Sequence, residues 1–373
     1  MIYLDNNATT QPASEVSSII SKCLKDNFGN PSSGHPFGSK AREAVDRARK
    51  EVAGLINARP DEIIFTSGGT EANNMAILGT ALKHRSGHII TSAIEHPSVM
   101  NPMKHLESLG YNITYLRVDK YGMVDPAEII KNIKKSTFLI TIMHSNNETG
   151  TIQPIARIGE IARKKGIPFH CDAAQSAGKV PINVKRLNTD MLTVVSHKFY
   201  GPKGVGALYI KNGINIKPIL FGASHEKGLR AGTENVCSIA GLGRACVLAK
   251  KEIKTRVSDM KLLSKLFHNE LKKQVPGLKL NGHPSKRLPN TLNLSFPNVI
   301  GSALLEKAKN DIAASTGSAC HEGRHTASHV LKAMGISDKD AFSAVRLSLG
   351  RTTTEAQIRK AVKALVKAYR ALV

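Results

Sequence analysis

EIIFTSGGTEANNMAILGTALKH, residues 62–84, decides the class of fold. A short apolar run (Ile63, Ile64, Phe65, Thr66) stops at Ser67-Gly68-Gly69-Thr70, and a segment with helical period begins at once. The same unit recurs downstream: HIITS then SVMNPMKHLESLG, NITYLRV then DPAEIIKNIKK, FLITIMHS then IARIGEIARKKG, and finally PFHCDAAQ and DMLTVVSHK. Apolar strands alternating with crossover helices predict an α/β fold with a largely parallel sheet covered on both faces. GVGALYI closes that section, residues from about 235 to 275 read as long helices, and the remainder (TLNLSF, IAAS, AVRLSLG, then a helix from Glu355) reads as a smaller α+β lobe. The expected organisation is a large domain at 13–250 and a small C-terminal domain at 251–373, joined by segment 1–12.

The length agrees with two lobes. A chain of 373 residues with 41% hydrophobic content exceeds what one compact core holds easily. The start, MIYLDNNATT, lacks the basic and apolar regions of a secretory signal, and no run approaches the roughly 18 apolar residues of a membrane span, so a soluble cytoplasmic protein is expected. Cys23, Cys171, Cys237, Cys246 and Cys320 are odd in number, widely spaced and without a C-x-x-C pair, which argues against a disulfide framework and a structural zinc site. A net charge of +24 gives a field that attracts anions, whether nucleic acid, acidic proteins or phosphorylated ligands. The cations are scattered along helices such as KKEIKTRVSDMKLLSKLF and aromatics are only 5%, so a solvated basic surface is favoured over a dedicated nucleic-acid site.

Four segments can carry chemistry. Ser67-Gly68-Gly69-Thr70 frees backbone N–H groups at a helix start for an anion, although such a turn is often only a turn. FHCDAAQS sets Asp172 and Gln175 at the carboxyl end of a strand, where open α/β sheets hold ligands; the acid could pair with a cofactor's ring nitrogen or simply cap a helix. In DMLTVVSHKFYGPKG an apolar strand delivers Ser196-His197-Lys198 into a glycine-rich turn, and a lysine in apolar surroundings loses charge and becomes an amine nucleophile suited to a Schiff base. A surface lysine at a strand end is the plain alternative. Cys320 alone among the cysteines sits beside cations (His321, Arg324, His325) that would raise its thiolate fraction.

In this order, from YLDNNATT to AVRLSLGRTTTEAQI, the segments resemble the cysteine desulfurases and selenocysteine lyases, enzymes of the aspartate-aminotransferase fold type that depend on pyridoxal 5'-phosphate (PLP). The resemblance implies a mostly parallel seven-stranded sheet and a homodimer. It implies that Lys198 anchors PLP, that Gly69, Thr70, Ser196 and His197 serve its phosphate, and that Asp172, Gln175 and His96 serve its ring, His96 also moving protons. Thr233 of RAGTEN would reach the phosphate in the neighbouring subunit. Asn7, Asn147 of HSNNETG and Arg346 would bind substrate, Arg346 clamping its carboxylate, and Cys320 would receive sulfur as a persulfide for an acceptor or scaffold protein, as in iron–sulfur cluster assembly or thiolation.

The chain departs from the family pattern in two places. Val195 stands where many members have a phosphate-binding Ser, leaving Ser196 as the substitute, and Gly222-Ala223-Ser224 replaces a common GGG. VSHKFYGPKG, RLPNTLNLSF and SACH lean toward the selenocysteine lyases, which keeps selenocysteine open as substrate. A basic binding module on the same scaffold is the alternative of another class, against which stand Lys198, Asp172, His96 and Cys320 together.

Overall fold

The computed structural model describes residues 1–316 and 327–373, and between them only the antiparallel backbone pairing of Cys320–His321 with Arg324–His325. Seven strands form the main sheet: β1 (Ile63–Thr66), β2 (His88–Ser92), β3 (Asn112–Leu116), β4 (Thr137–Thr141), β5 (Phe169–Asp172), β6 (Met191–Val195) and β7 (Gly206–Ile210). Their order is β1-β7-β6-β5-β4-β2-β3. β7 runs antiparallel to both its neighbours and every other pairing is parallel, so the sheet is mostly parallel as expected. Six of the seven strands are buried at every residue or nearly so, because helices cover both faces of a sheet built from crossovers; only β3, at the edge, is half-exposed.

One face packs against α1 (Ser14–Asp26), α2 (Pro36–Ile56) and a later helix, with Val45, Val52, Ile56, Phe169 and Leu242 in a common core. The other face packs against α3 (Gly69–Ala81) and α4 (Pro97–Ser108) through Met75, Ile77, Val99, Met103 and Leu139. α3 buries residues all round, and a buried helix shows almost no amphipathic stripe.

The long helices expected at about 235–275 are a single 39-residue helix, α5 (Val236–Gln274). Its first half, from Val236 to Ala249, packs in the core under the sheet. Met260, Phe267 and Leu271 in its second half belong to a separate core. The expected domain boundary at 250/251 therefore falls inside a continuous helix. Nothing in KKEIKTRVSDMKLL breaks helical period, and no Pro or Gly interrupts it.

That second core is built on β8 (Lys279–Asn281), β9 (Thr291–Ser295) and β10 (Ala344–Ser348), an antiparallel sheet of order β10-β9-β8, backed by α6 (Glu355–Arg370). A reciprocal capping box between Thr354 and Gln357 starts α6. The N-terminal segment pairs Ile2–Tyr3 with Ile312–Ala313 and bridges Asp5 to Ser348 before crossing to the main sheet. This path carries Asn7 to the carboxyl edge of the parallel strands. Among the described residues no helix is long and apolar enough to cross a membrane.

Candidate active site

Carboxyl ends of β1, β2, β4, β5 and β6 meet around a cavity of about 250 Å³, the position where strand order makes an open α/β sheet bind ligands. Gly69, Thr70, His96, Asn147, Asp172, Gln175, His197 and Lys198 all line it, so residues spread over 130 positions of sequence converge there. Asn7 joins through its carbonyl oxygen, which accepts from Lys198, and Arg346 of β10 lies beside it on the Asn147 carbonyl.

Lys198 ends a short 3-10 turn (Ser196–Lys198) that follows β6 directly. Its Nζ donates to the carbonyl oxygens of Asn7 and Ala8, both at 2.8 Å. Burial, helped by the nearby Arg346 cation, lowers its pKa to about 8. Carbonyls hold the amine in place without neutralising a charge, which is how a lysine is kept both fixed and available for nucleophilic work.

Asp172, 5% exposed, ends β5. Its Oδ1 accepts from the Ala174 N–H at 2.9 Å and its Oδ2 from Asn73 Nδ2 at 2.8 Å. His96 caps α4: Nδ1 accepts from the Ser98 N–H at 3.1 Å and lies 2.8 Å from Ser98 Oγ. Burial lowers its pKa, opposed by Asp172. His197 Nδ1 contacts Thr9 Oγ1 at 3.1 Å, and burial with the cations of Lys198, Lys203 and Lys179 brings its pKa down to about 4.

The anion cradle is the start of α3. Gly68 takes a φ of 154°, a conformation that favours glycine, and a Cβ on Gly69 would meet Val195 Cγ2 at 2.6 Å. Gly69 and Thr70 carry the first N–H groups of the helix, which have no intrahelical acceptor and face the cavity with the positive end of the helix dipole. Ser196 is not brought to the cavity. Side chains alternate along β6, so Thr193 and Val195 face α3 while Ser196 turns to the other side, where its buried Oγ has no partner among the described residues and abuts Gly201. Thr233 is exposed and also outside this cavity.

Arg346 pairs with Asp5 Oδ1 at 2.8 Å and donates to the Asn147 carbonyl at 3.3 Å, while its buried Nε has no partner among the described residues. Asn7 is a junction: its Nδ2 donates to Thr291 Oγ1 at 2.9 Å and the Asn147 carbonyl at 3.2 Å, and its main-chain oxygen accepts from Gln175 Nε2 at 2.9 Å. The side chain of Cys320 lies outside the described residues. The other four cysteines are free thiols, and burial pushes Cys171 and Cys246 well up and, with Cys237 beside it, Cys23 to about 12, so none of those three forms a thiolate readily.

Several residues of the site escaped the reading of the sequence. Lys179 Nζ donates at 2.9 Å to both Asn7 Oδ1 and Gln175 Oε1, fixing the Gln175 amide, and burial with the charge of Lys198 holds its pKa far below the usual lysine range. Its place four residues after Gln175 was the available signal. Asn73 and Ser98 sit behind Asp172 and His96. Glu148, raised to about 7 by burial, accepts from Ser328 Oγ at 2.6 Å, and the Glu95 carbonyl lies 3.2 Å from His329 Nε2, which ties Ser328 and His329 to the chain neighbours of Asn147 and His96.

The family model for Aminotransferase class-V matches residues 2–360, and the chain belongs to that family. Within it the similarity is to cysteine desulfurases. Cysteine desulfurase IscS of Dictyoglomus turgidum is 48% identical over 357 residues, covering 95% of this chain and 91% of its own, and cysteine desulfurase IscS of Methanosarcina thermophila is 47% identical over 367 residues, covering 97% and 90%. Among solved structures, a NifS-like protein superposes with a TM-score of 0.94 at 36% identity over 100% of both chains. A structure described as SspA in complex with cysteine gives 0.83 at 37% identity over 94% of this chain and 99% of that one.

Proposed function

We propose that this enzyme takes the sulfur of L-cysteine, releases alanine, and holds the sulfur as a persulfide on Cys320 for transfer to an acceptor. The observation that carries the reading is an amine of lowered basicity, Lys198, sharing one cavity with a buried carboxylate, Asp172, and with His96. The residues fit PLP. A Cβ-free cradle at Gly69 and the open N–H groups of α3 suit its phosphate, Lys198 its aldehyde, and the Asp172 carboxylate its ring nitrogen. Bound there, PLP supplies an electrophilic aldehyde for an amine and an electron-poor ring that accommodates the electron pair left when the substrate Cα–H bond breaks.

The remaining steps belong to the chain. Arg346 and Asn147 hold the substrate carboxylate, the free Nε of Arg346 being the donor still to be satisfied. Lys198 Nζ, free of its proton in a larger fraction than an ordinary lysine, receives the proton from Cα. Cys320 thiolate attacks the substrate sulfur; an S–S bond forms while the Cβ–S bond breaks, its electron pair staying with the carbon skeleton, which takes a proton and leaves as alanine. The enzyme works as a homodimer in which the exposed Thr233 of each subunit serves the other's phosphate site.

The test is to measure alanine and sulfide from cysteine, and alanine and selenide from selenocysteine, with wild type and Cys320→Ala. Cys320→Ala retains PLP on Lys198, found by borohydride reduction and peptide mass spectrometry, and loses sulfide release from cysteine. Normal turnover of cysteine by this variant overturns the role of Cys320, and activity confined to selenocysteine overturns the choice of substrate.

A further inference from the structure

Asn73 lies inside α3, 1% exposed, and its amide makes three hydrogen bonds. Nδ2 donates to Asp172 Oδ2 and to Ser98 Oγ, both at 2.8 Å, and Oδ1 accepts from Thr193 Oγ1 at 2.7 Å. The orientation of the amide is not arbitrary. Turned over, it would present its oxygen to the Asp172 carboxylate, which offers only acceptors when ionised.

Every proton beyond it is then assigned. Thr193 spends its hydroxyl proton on Asn73, so His170 Nε2, 3.1 Å from Thr193 Oγ1, must donate there, leaving His170 Nδ1 to accept from Thr141 Oγ1 at 2.8 Å. On the other side Ser98 Oγ receives a proton from Asn73, so its own goes to His96 Nδ1. The Ser98 N–H can only donate, and it too points at His96 Nδ1. Two donors converge on one nitrogen, which therefore carries a lone pair. Neutral His96 keeps its proton on Nε2, the nitrogen that has no partner among the described residues and whose ring lines the cavity.

We propose that Asn73 is a positioning residue that acts on both partners of the cofactor ring at once: one amide fixes the Asp172 carboxylate and, through the Ser98 hydroxyl, adds a second donor to the main-chain N–H that gives His96 its Nε2–H tautomer. His96 then presents the cavity with an N–H donor and not a lone pair, and the task of accepting a proton is left to Lys198. The consequence for catalysis rests on the function proposed above; the hydrogen-bond directions do not.

Long-range proton–nitrogen NMR of the full-length protein, labelled with ¹⁵N-histidine, reads the tautomer directly, with the His96 signal assigned by its loss in His96→Gln. The wild type is expected to show unprotonated Nδ1 and protonated Nε2. In Asn73→Ala the Ser98 hydroxyl is no longer directed at Nδ1 and the main-chain N–H is the one donor left there, so a minor Nδ1–H share appears beside the Nε2–H form, and kcat for alanine formation falls on the order of 10²-fold while KM changes far less, as expected for a misplaced catalytic group. Ser98→Ala removes the middle link without touching Asp172 and gives the same shift in direction, which keeps the test open should Asn73→Ala fold poorly. A protonated Nδ1 in the wild type, or an unchanged tautomer and turnover in both variants, overturns the proposal. A protein with the expected tautomer, shifted in the variants, that leaves cysteine untouched upholds the positioning role and overturns the function.

Discussion

At the scale of single residues, the chemistry depends on one lysine being cheap to deprotonate. Burial lowers Lys198 to about 8, Arg346 pushes the same way, and Asp172 and Asp5 oppose them. Below that pH the amine is charged and cannot attack an aldehyde, so the rate at which apoprotein captures PLP should rise about tenfold per pH unit and flatten above about 8. Replacing the cation by Arg346→Met removes a lowering influence, and the bend should move to higher pH. Stopped-flow absorbance of PLP capture measures both; a bend unmoved in Arg346→Met would show that burial alone sets the lysine. Lys198 was legible in the sequence as a candidate, where an apolar strand runs into a glycine-rich turn; the residues alone left a surface lysine open, and the anchoring role came from the family resemblance. Asn73 and Ser98 were not legible. Each is a common residue on a helix or turn, and its importance comes from which buried partner lies across the gap, a property of tertiary packing that spacing does not encode.

At the scale of elements, the strand-to-helix turn of β1 and α3 shows what sequence can and cannot tell. The small residues at 67–70 suggested an anion cradle, but not that a Cβ at 69 would meet the Val195 side chain on β6, two strands away in the sheet. The same alternation that aims Val195 at Gly69 turns Ser196 away, so the expected substitution of one serine for another fails for a reason of strand geometry. Gly69→Ala should therefore wedge α3 off β6. The expected cost is about 1–3 kcal/mol of stability, with weaker PLP binding. Val195→Ala removes the opposing methyl groups, and the double variant should recover much of both losses, a coupling seen as non-additive melting temperatures and PLP dissociation constants. Additive losses would mean that the helix start is held by something other than this contact. Strand and helix existence was readable from period alone, as was the continuity of residues 236–274, whose sequence nowhere breaks helical period around 250–263, whereas the antiparallel β7 follows from long-range pairing.

At the scale of the whole molecule, 53 Lys and Arg against 29 Asp and Glu leave a net charge of +24, and few of these cations belong to the site. Many are held in exposed pairs such as Lys131–Glu128 and Arg359–Glu355, which add little to stability. The surplus acts instead as a field. PLP arrives as an anion, and the cavity it enters lies at the positive end of α3, so its approach is steered by the global charge and completed by the local dipole. The two contributions separate by range: the Debye length shrinks from about 30 Å at 0.01 M salt to about 8 Å at 0.15 M, which removes the distant cations and spares contacts inside the cavity. The second-order rate of PLP capture should therefore fall severalfold across that range, while the dissociation rate of bound PLP stays nearly constant. Neutralising a group of exposed lysines far from the cavity, for example on the outer face of α5, should reduce the salt dependence without altering the pH at which capture levels off. A capture rate indifferent to salt would confine the basic surface to another task and leave the helix start as the sole attractor.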